Sequence, residues 1–105
     1  MGVDAAAREV RLVAMAFMYI LGCSDETFYT GSTVDLRARL AQHSAGEGAK
    51  YTARRRPVRL KYFEEHERID AAFAREKQVQ GWNHERKQWL IDYGPGVRVT
   101  ADMDI

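Results

Sequence analysis

Two short strand-forming runs joined by a turn constrain the fold of this chain more than any other feature of its sequence. Residues 16–22 are largely apolar, and Ser24-Asp25-Glu26-Thr27 supplies turn-forming side chains before a second short run at residues 28–30. This order predicts a β-hairpin, which Gly31 is expected to end.

The rest of the chain alternates helical and strand patterns. Ser32 or Thr33 is positioned to cap a helix over residues 34–43, with Asp35 in its first turn, where the helix dipole favours an anion. The remaining predicted elements are a basic loop at 49–57, a strand over 58–64, a helix from its cap Asp70 to about residue 80, and a helix over 84–92 capped by Asn83.

The length of 105 residues allows one modest core but not two. We expect an N-terminal extension at 1–15, whose Ala-rich part at 4–13 predicts a short helix or a frayed arm. The domain itself is expected over 16–92, followed by a loose tail at 93–105.

Several classes of protein are disfavoured by composition. No apolar run approaches the ~18 residues of a membrane span, and the first residues lack the pattern of a secretory signal, so a cytoplasmic protein is expected. Cys23 is the single cysteine, and three histidines without zinc-site spacing make structural zinc an unfavourable hypothesis. A bound metal would have carboxylate and water ligands, which favours magnesium or manganese.

Positive charge is concentrated in the middle of the chain although the net charge is only +1. Between residues 37 and 61 the only acid is Glu47, and the cations are Arg37, Arg39, Lys50, Arg54, Arg55, Arg56, Arg59 and Lys61. A local field of this sign attracts phosphates, and Lys50, Tyr51 and Arg54 to Arg56 are the residues expected to contact a nucleic-acid backbone. The alternative is a solvated Arg-rich loop without a ligand.

Five side chains carry the chemistry of a phosphodiester hydrolase, namely Tyr19, Tyr29, Arg39, His43 and Glu76. The hairpin can bring the two phenols together, and the helix that follows presents Arg39 and His43, four residues apart, on one side. A guanidinium stabilises charge on the phosphate, an imidazole helps deprotonate water, and a carboxylate binds a divalent cation.

Each of these residues also has an ordinary structural explanation. The tyrosines fit a sheet core, Arg39 can pair with Asp35, and His43 suits the C-terminal end of a helix. Glu76 lies on the apolar face predicted for Ala72, Phe73 and Val79, where a carboxylate needs either a core Arg or Lys partner or a metal. Trp82 and Trp89 are predicted to be core anchors rather than base-stacking platforms.

The segments around these residues resemble the GIY-YIG nuclease family, in particular its small stand-alone bacterial branch. The resemblance runs from residue 17 to about residue 91, and its motifs are Phe17-Met18-Tyr19-Ile20-Leu21, Phe28-Tyr29-Thr30-Gly31-Ser32, Leu36-Arg37-Ala38-Arg39-Leu40-Ala41-Gln42-His43 and Arg75-Glu76-Lys77-Gln78-Val79. The catalytic core is also similar to that of structure-selective nucleases of the family.

The resemblance implies an α+β fold, with a small three-stranded antiparallel sheet flanked by helices. It implies one-metal hydrolysis in which Glu76 binds magnesium or manganese, Arg39 stabilises the phosphate, and a tyrosine assisted by His43 activates water. Tyr19 is the preferred base, with Tyr29 orienting the phosphate or the water. The chain departs from the family pattern in two places. Phe17-Met18 stands where the family has Gly-Ile. Many family members also have a C-terminal asparagine near the site, whereas Asn83, the only asparagine here, is predicted to cap a helix.

The leading hypothesis is therefore a divalent-metal-dependent DNA endonuclease, with a role in DNA repair or recombination implied by the resemblance alone. The alternative is a non-catalytic nucleic-acid-binding module that uses the basic loop at 50–61. A Glu76 paired with a core cation and remote from both tyrosines would exclude the catalytic hypothesis.

Overall fold

The computed structural model describes residues 15–100, and in them the chain forms an antiparallel sheet with helices on both faces. The strands, in the spatial order β2-β1-β3-β4, are β1 (Ala16–Gly22), β2 (Phe28–Thr33), β3 (Arg59–His66) and β4 (Val97–Arg98). The helices are α1 (Leu36–Ser44), α2 (Lys50–Ala53), α3 (Ile69–Gln80) and α4 (His84–Tyr93). The α+β class with a helix-flanked antiparallel sheet is confirmed. The Ala-rich segment at 4–13 lies outside the described residues.

The prediction of three strands was wrong by one. Val97 and Arg98 pair with Phe63 and Tyr62 of β3, so part of the expected loose tail is an edge strand. A two-residue strand has no periodicity of its own, because its conformation comes from pairing with a partner far away in the sequence.

The boundary between β2 and α1 also differs from the prediction. Strand β2 continues through Gly31 to Thr33, paired with β1 along its length. Helix α1 begins at Leu36, because Asp35 rather than Ser32 or Thr33 is its N-cap and accepts a hydrogen bond from the Ala38 amide at 3.0 Å. The predicted cap of α3 was also wrong, because Asp70 lies in the first turn of that helix and is not its cap. Asn83 caps α4 as predicted.

Two apolar clusters lie on the opposite faces of the sheet. On one face Met18 and Ile20 of β1 pack with Val79 of α3 and with Leu90 of α4. On the other face Tyr19 and Leu21 pack with Leu36 of α1, as the alternation of side chains along a strand requires. Because β2 is an edge strand, side chains from both faces can meet beyond it.

The predicted aromatic anchors of the core are only partly confirmed. Trp82 packs against the first cluster, with the guanidinium groups of Arg75 and Arg86 over its ring at 5.3 and 4.1 Å. Trp89 and Phe73 are 58% and 50% exposed, so their predicted burial was wrong. The buried positions of α3 are Ala72 and Val79. Phe73 follows Ala72 directly and therefore points about 100° away from it around the helix axis.

A buried ion pair connects the sheet to α3. Arg75 donates to both carboxylate oxygens of Glu64, at 2.9 and 3.1 Å, and the Tyr62 hydroxyl donates to the same carboxylate at 2.7 Å. Burial opposes ionisation, but these donors hold the pKa of Glu64 below its usual 4.5. The carboxylate therefore stabilises the fold above that pH, and its contribution is lost as the pH falls through the lowered pKa.

Replacing Arg75 by methionine should cost about 3 kcal/mol of unfolding free energy at neutral pH, because it leaves the buried Glu64 carboxylate without its guanidinium partner. Urea denaturation measures the loss. The matched control is Arg68→Met, which breaks an exposed pair with Asp70 and should leave stability almost unchanged. Equal losses in the two variants would contradict a stabilising role for the buried pair.

No helix in residues 15–100 is long and apolar enough to cross a membrane.

Candidate active site

Tyr19 reaches the edge of the sheet by passing over Gly31. The two residues are direct partners in the pairing of β1 with β2, so they share a face of the sheet. A Cβ atom on Gly31 would lie 2.5 Å from Cζ of the Tyr19 ring, a distance that real side chains do not adopt. Gly31 is therefore the position that lets the phenol extend across the edge strand.

The Tyr19 phenol contacts a fully buried histidine. Oη of Tyr19 lies 2.8 Å from Nε2 of His43, in the last turn of α1, and Nδ1 of His43 lies 2.8 Å from Oγ1 of Thr52. The Thr52 hydroxyl donates its only hydrogen to the carbonyl of Ala49, so it accepts from the imidazole. This places the hydrogen of neutral His43 on Nδ1 and leaves Nε2 to accept the phenol hydrogen.

The electrostatics of the pair favour neutral partners. Burial, with a further contribution from Arg39, lowers the pKa of His43 below 6.5. Burial and the neighbouring Tyr29 raise the pKa of Tyr19 to about 12, while Arg39 acts in the opposite direction. At neutral pH the structure therefore contains a neutral phenol hydrogen-bonded to a neutral imidazole.

Arg39, on α1, is within electrostatic range of the Tyr19 phenol, and its charge and its hydrogen-bonding group both act to lower the pKa of that phenol. The alternative pairing with Asp35 is absent from the described part of the chain, where the Asp35 carboxylate accepts from the Ala38 amide. Arg39 and His43 are therefore on one side of α1, as their spacing predicts.

Tyr29 completes the aromatic side of the site. Its ring meets the His43 ring edge-on at 5.3 Å and stacks against Tyr51 at 6.1 Å. Burial and the charge of Glu76 raise its pKa, and Arg39 lowers it. Tyr29 is thus within electrostatic range of both the carboxylate and the guanidinium.

Glu76 approaches the same place from the opposite face of the sheet. Its side chain is 12% exposed, and Oε1 accepts a hydrogen bond of 2.6 Å from the Ser32 hydroxyl. Its nearest cation is Lys77, 3.8 Å away and 54% exposed, so Glu76 has no buried cationic partner among residues 15–100. The negative charge of Glu76 raises the pKa of both Tyr19 and Tyr29, so it is not remote from the tyrosines.

The structure thus brings all five predicted side chains to the β2 edge. We refer to Tyr19, Tyr29, Arg39, His43 and Glu76 as the edge cluster. Tyr19 and Gly31 belong to one face of the sheet, whereas Ser32, paired with Met18, belongs to the face covered by α3. The edge cluster is therefore assembled around an edge strand from both sides.

The donor set of the edge cluster fits a hard cation. Within residues 15–100 no group of three or more His, Cys, Asp or Glu side chains converges. Glu76 is a single carboxylate, with one oxygen fixed by Ser32. Magnesium retains several waters and commonly binds one or two carboxylates together with substrate phosphates, so one protein carboxylate suffices.

The predicted backbone-contact residues divide into two groups. Arg55 donates to Asp25 at 3.0 Å and covers the Tyr51 ring at 3.7 Å, while Arg56 donates to the carbonyls of Ala53 and Ser44. Lys50 and Arg54 are exposed. The loop also contains helix α2, which the sequence pattern did not predict.

Two supporting residues were missed by the sequence analysis. Ser32, expected to be a helix cap, instead holds Glu76, and Thr52, in the basic loop, orients His43. The signal that could have placed Ser32 was strand alternation, because in a strand that continues past Gly31 the Ser32 side chain points to the opposite face of the sheet. Thr52 carries no local signal, because its importance arises only from a contact between α1 and α2.

Comparison with known proteins gives consistent matches over the described domain. Residues 15–88 match the family model described as the GIY-YIG catalytic domain. The UPF0213 protein of Haloquadratum walsbyi is 44% identical over 81 residues, which is 77% of this chain and 91% of that protein. The UPF0213 protein of Natronomonas pharaonis is 41% identical over 80 residues, covering 76% of this chain and 94% of that protein.

Among solved structures, a solution NMR structure of a UPF0213 protein from Bacillus halodurans is 35% identical, covers 74% of this chain and 83% of that chain, and has a TM-score of 0.49. The segment matched by the family model contains every residue of the edge cluster.

Proposed function

The chain belongs to the GIY-YIG family, whose members are nucleases that generally use divalent metals, and from that membership we propose that it is a metal-dependent DNA endonuclease. The observation that carries the proposal is the hydrogen-bonded chain from Tyr19 through His43 to Thr52, with Arg39 and Glu76 beside it. A module that only bound nucleic acid would gain nothing from a phenol aligned on a buried, neutral imidazole.

In the proposed reaction Tyr19 and His43 relay a proton. As the oxygen of a water attacks phosphorus, the water gives a hydrogen to Oη of Tyr19 and the phenol hydrogen moves to Nε2 of His43. The bond between phosphorus and the leaving oxygen breaks, and the leaving oxygen keeps the bonding electron pair and takes a proton from solvent. A relay suits a phenol with a pKa of about 12, because Tyr19 remains neutral before and after the transfer.

The other residues act on charge and position. Arg39 stabilises the negative charge that develops on the phosphate oxygens, and Tyr29 orients the phosphate or the water. Glu76 is the residue that would hold magnesium or manganese, with Ser32 fixing its carboxylate. Such a cation, when bound, polarises the phosphate and stabilises the leaving oxygen.

The proposal extends to a role in DNA repair or recombination, in which branched or damaged strands are cut. It is tested by incubating the protein with end-labelled duplex, single-stranded, flap and branched DNA in magnesium, manganese or chelator. Products that require the metal support the endonuclease and identify its substrate. Salt-sensitive binding to every substrate without cutting would instead support the binding module, with Lys50 and Arg54 among its exposed cations.

The cleavage rate should fall on acidification with a midpoint below pH 6.5. The relay needs neutral His43, and burial lowers the pKa of that imidazole below 6.5, so activity persists through neutral pH and is lost as the pH falls through the lowered pKa. Single-turnover rates between about pH 5 and about pH 8, with circular dichroism to establish folding, measure the profile. A midpoint clearly above 6.5 would contradict the assignment of His43 as proton acceptor.

A further inference from the structure

A cleft lies beside the edge cluster, between the β2 edge and the ends of α3 and α4. Its volume is about 450 Å³, and it is lined by Phe28, Tyr29, Thr30, Tyr51, Gln80 and Lys87. Tyr29 is shared with the edge cluster, and Gln80 follows Glu76 by four residues, one helical turn further along the same side of α3. The cleft therefore adjoins the edge cluster, where a phosphate would be cut.

Lys87 gives this cleft a cation without a partner. The side chain is half-buried on α4, and no carboxylate among the described residues lies within ion-pair distance of it. Its pKa is lowered by burial alone, without an acid nearby to compensate. A partly desolvated, unpaired ammonium group gains more from an anionic ligand than a solvated surface lysine does.

The floor of the cleft has a second unpaired group. Thr30 is 2% exposed, and its hydroxyl is the one buried side-chain polar atom within residues 15–100 that has no hydrogen-bond partner. Because this hydroxyl is itself buried, the half-buried ammonium group of Lys87 is the donor that the cleft offers to a phosphate oxygen. The aromatic rings of Phe28, Tyr29 and Tyr51 supply walls of the kind that contact a sugar or a base.

A second cleft continues the track on the far side of Phe28. Phe28 lines both clefts and stacks on His84 at 4.3 Å, and the second cleft adds Arg59 and Lys61, with Glu26 as its acid. Positive charge thus continues from the first cleft past Phe28 and across the end of the sheet to β3, which carries Arg59 and Lys61.

We propose that the cleft containing Lys87 binds the nucleotide next to the scissile phosphodiester, with Lys87 contacting its phosphate, and that the strand continues past Phe28 towards Lys61. The inference rests on the proposed function, since the bound strand is the one that is cut. It assigns phosphate contact to Lys87, which lies outside the basic loop, rather than to Arg55 and Arg56, which are held by contacts within the protein.

Metal-free binding tests the inference independently of cleavage. A labelled single-stranded DNA oligonucleotide is titrated with protein in chelator at several salt concentrations, using fluorescence anisotropy. One phosphate contact to a single strand contributes about 0.7 to the slope of log K against log salt, which is about fivefold in affinity at 0.1 M salt. Lys87→Gln should lose this part of the slope and this fivefold affinity, and Lys87→Arg should retain the native slope and affinity.

The matched control is Arg98→Gln, which removes one positive charge from the opposite edge of the sheet and should leave the slope unchanged. Circular dichroism establishes that each variant is folded. If the slope of log K against log salt in Lys87→Gln equals that of the native protein, the proposed subsite is overturned, and the proposed endonuclease activity is unaffected by that result. Loss of slope in Lys87→Gln by a protein that cuts no DNA would support phosphate contact at Lys87 and overturn the proposed catalysis, and with it the position of the subsite next to a scissile bond.

Discussion

Replacing Tyr19 by phenylalanine should slow DNA cleavage by about a thousandfold, within the range of about 10² to 10⁴ that general acid–base groups contribute. The substitution removes the oxygen that receives the water hydrogen and passes its own to His43, 2.8 Å away. The ring itself stays, so the packing of Tyr19 with Leu21 and Leu36 is retained. The measurement is the single-turnover rate on the best substrate at saturating metal.

Tyr62→Phe is the matched control for this prediction. Tyr62 is equally buried in the same sheet and its hydroxyl is also hydrogen-bonded, but to Glu64, away from the edge cluster. Tyr62→Phe should lower the stability of the fold and leave the rate of the folded protein unchanged. Equal rate losses in the two variants would mean that a missing buried hydroxyl, not a missing relay, slows the reaction.

Replacing Gly31 by alanine should remove nearly all activity, because the added methyl group would occupy the path of the Tyr19 phenol across β2. The new Cβ would lie 2.5 Å from the ring carbon Cζ, so either the ring or the edge strand must move. Overpacking of this kind typically costs about 1–3 kcal/mol of stability, and a displaced phenol no longer reaches Nε2 of His43. Thermal unfolding and single-turnover cleavage measure the two effects.

Gly81→Ala is the control for this substitution. A Cβ on Gly81, which follows α3, would meet its nearest neighbours at 3.6 and 4.0 Å, an ordinary contact distance, and the residue has φ of −78°. Alanine at such a position usually stabilises a protein slightly by restricting the unfolded chain. Full activity in a folded Gly31→Ala protein would contradict the placement of the phenol over this glycine.

The sequence predicted those features that depend on local spacing. Strand β1 has the predicted bounds, and Asn83 caps α4 because its side chain accepts a hydrogen bond from the free Arg86 amide in the first turn. The convergence of Arg39 and His43 followed from their separation of four residues. Four of the catalytic candidates, Tyr19, Tyr29, Arg39 and His43, lie on the hairpin and on the helix that follows it. The sequence could place them together without knowledge of contacts between distant segments.

Features that depend on contacts between distant segments were missed. A glycine after a short strand pattern normally ends the strand, but Gly31 lies within β2 because Tyr19, twelve residues earlier, needs the space of a side chain there. Thr52 carries no local signal in the sequence, and strand alternation at Ser32 does not reveal its partner, because the two roles are defined by the His43 and Glu76 side chains that these residues hold. The charge of the basic loop was predicted correctly, but the internal hydrogen bonds of Arg55 and Arg56 were not.

The central claim is that the edge cluster is a metal-dependent nuclease site, and cleavage by the Glu76→Gln variant tests it most directly. Glutamine keeps an oxygen that can accept from the Ser32 hydroxyl, so the fold should be unchanged, whereas the charge that would hold the cation is lost. The native protein should yield products in magnesium or manganese and none in chelator, and the folded variant should yield none under any condition. Cutting by Glu76→Gln at the native rate, or by the native protein in chelator, would contradict the account.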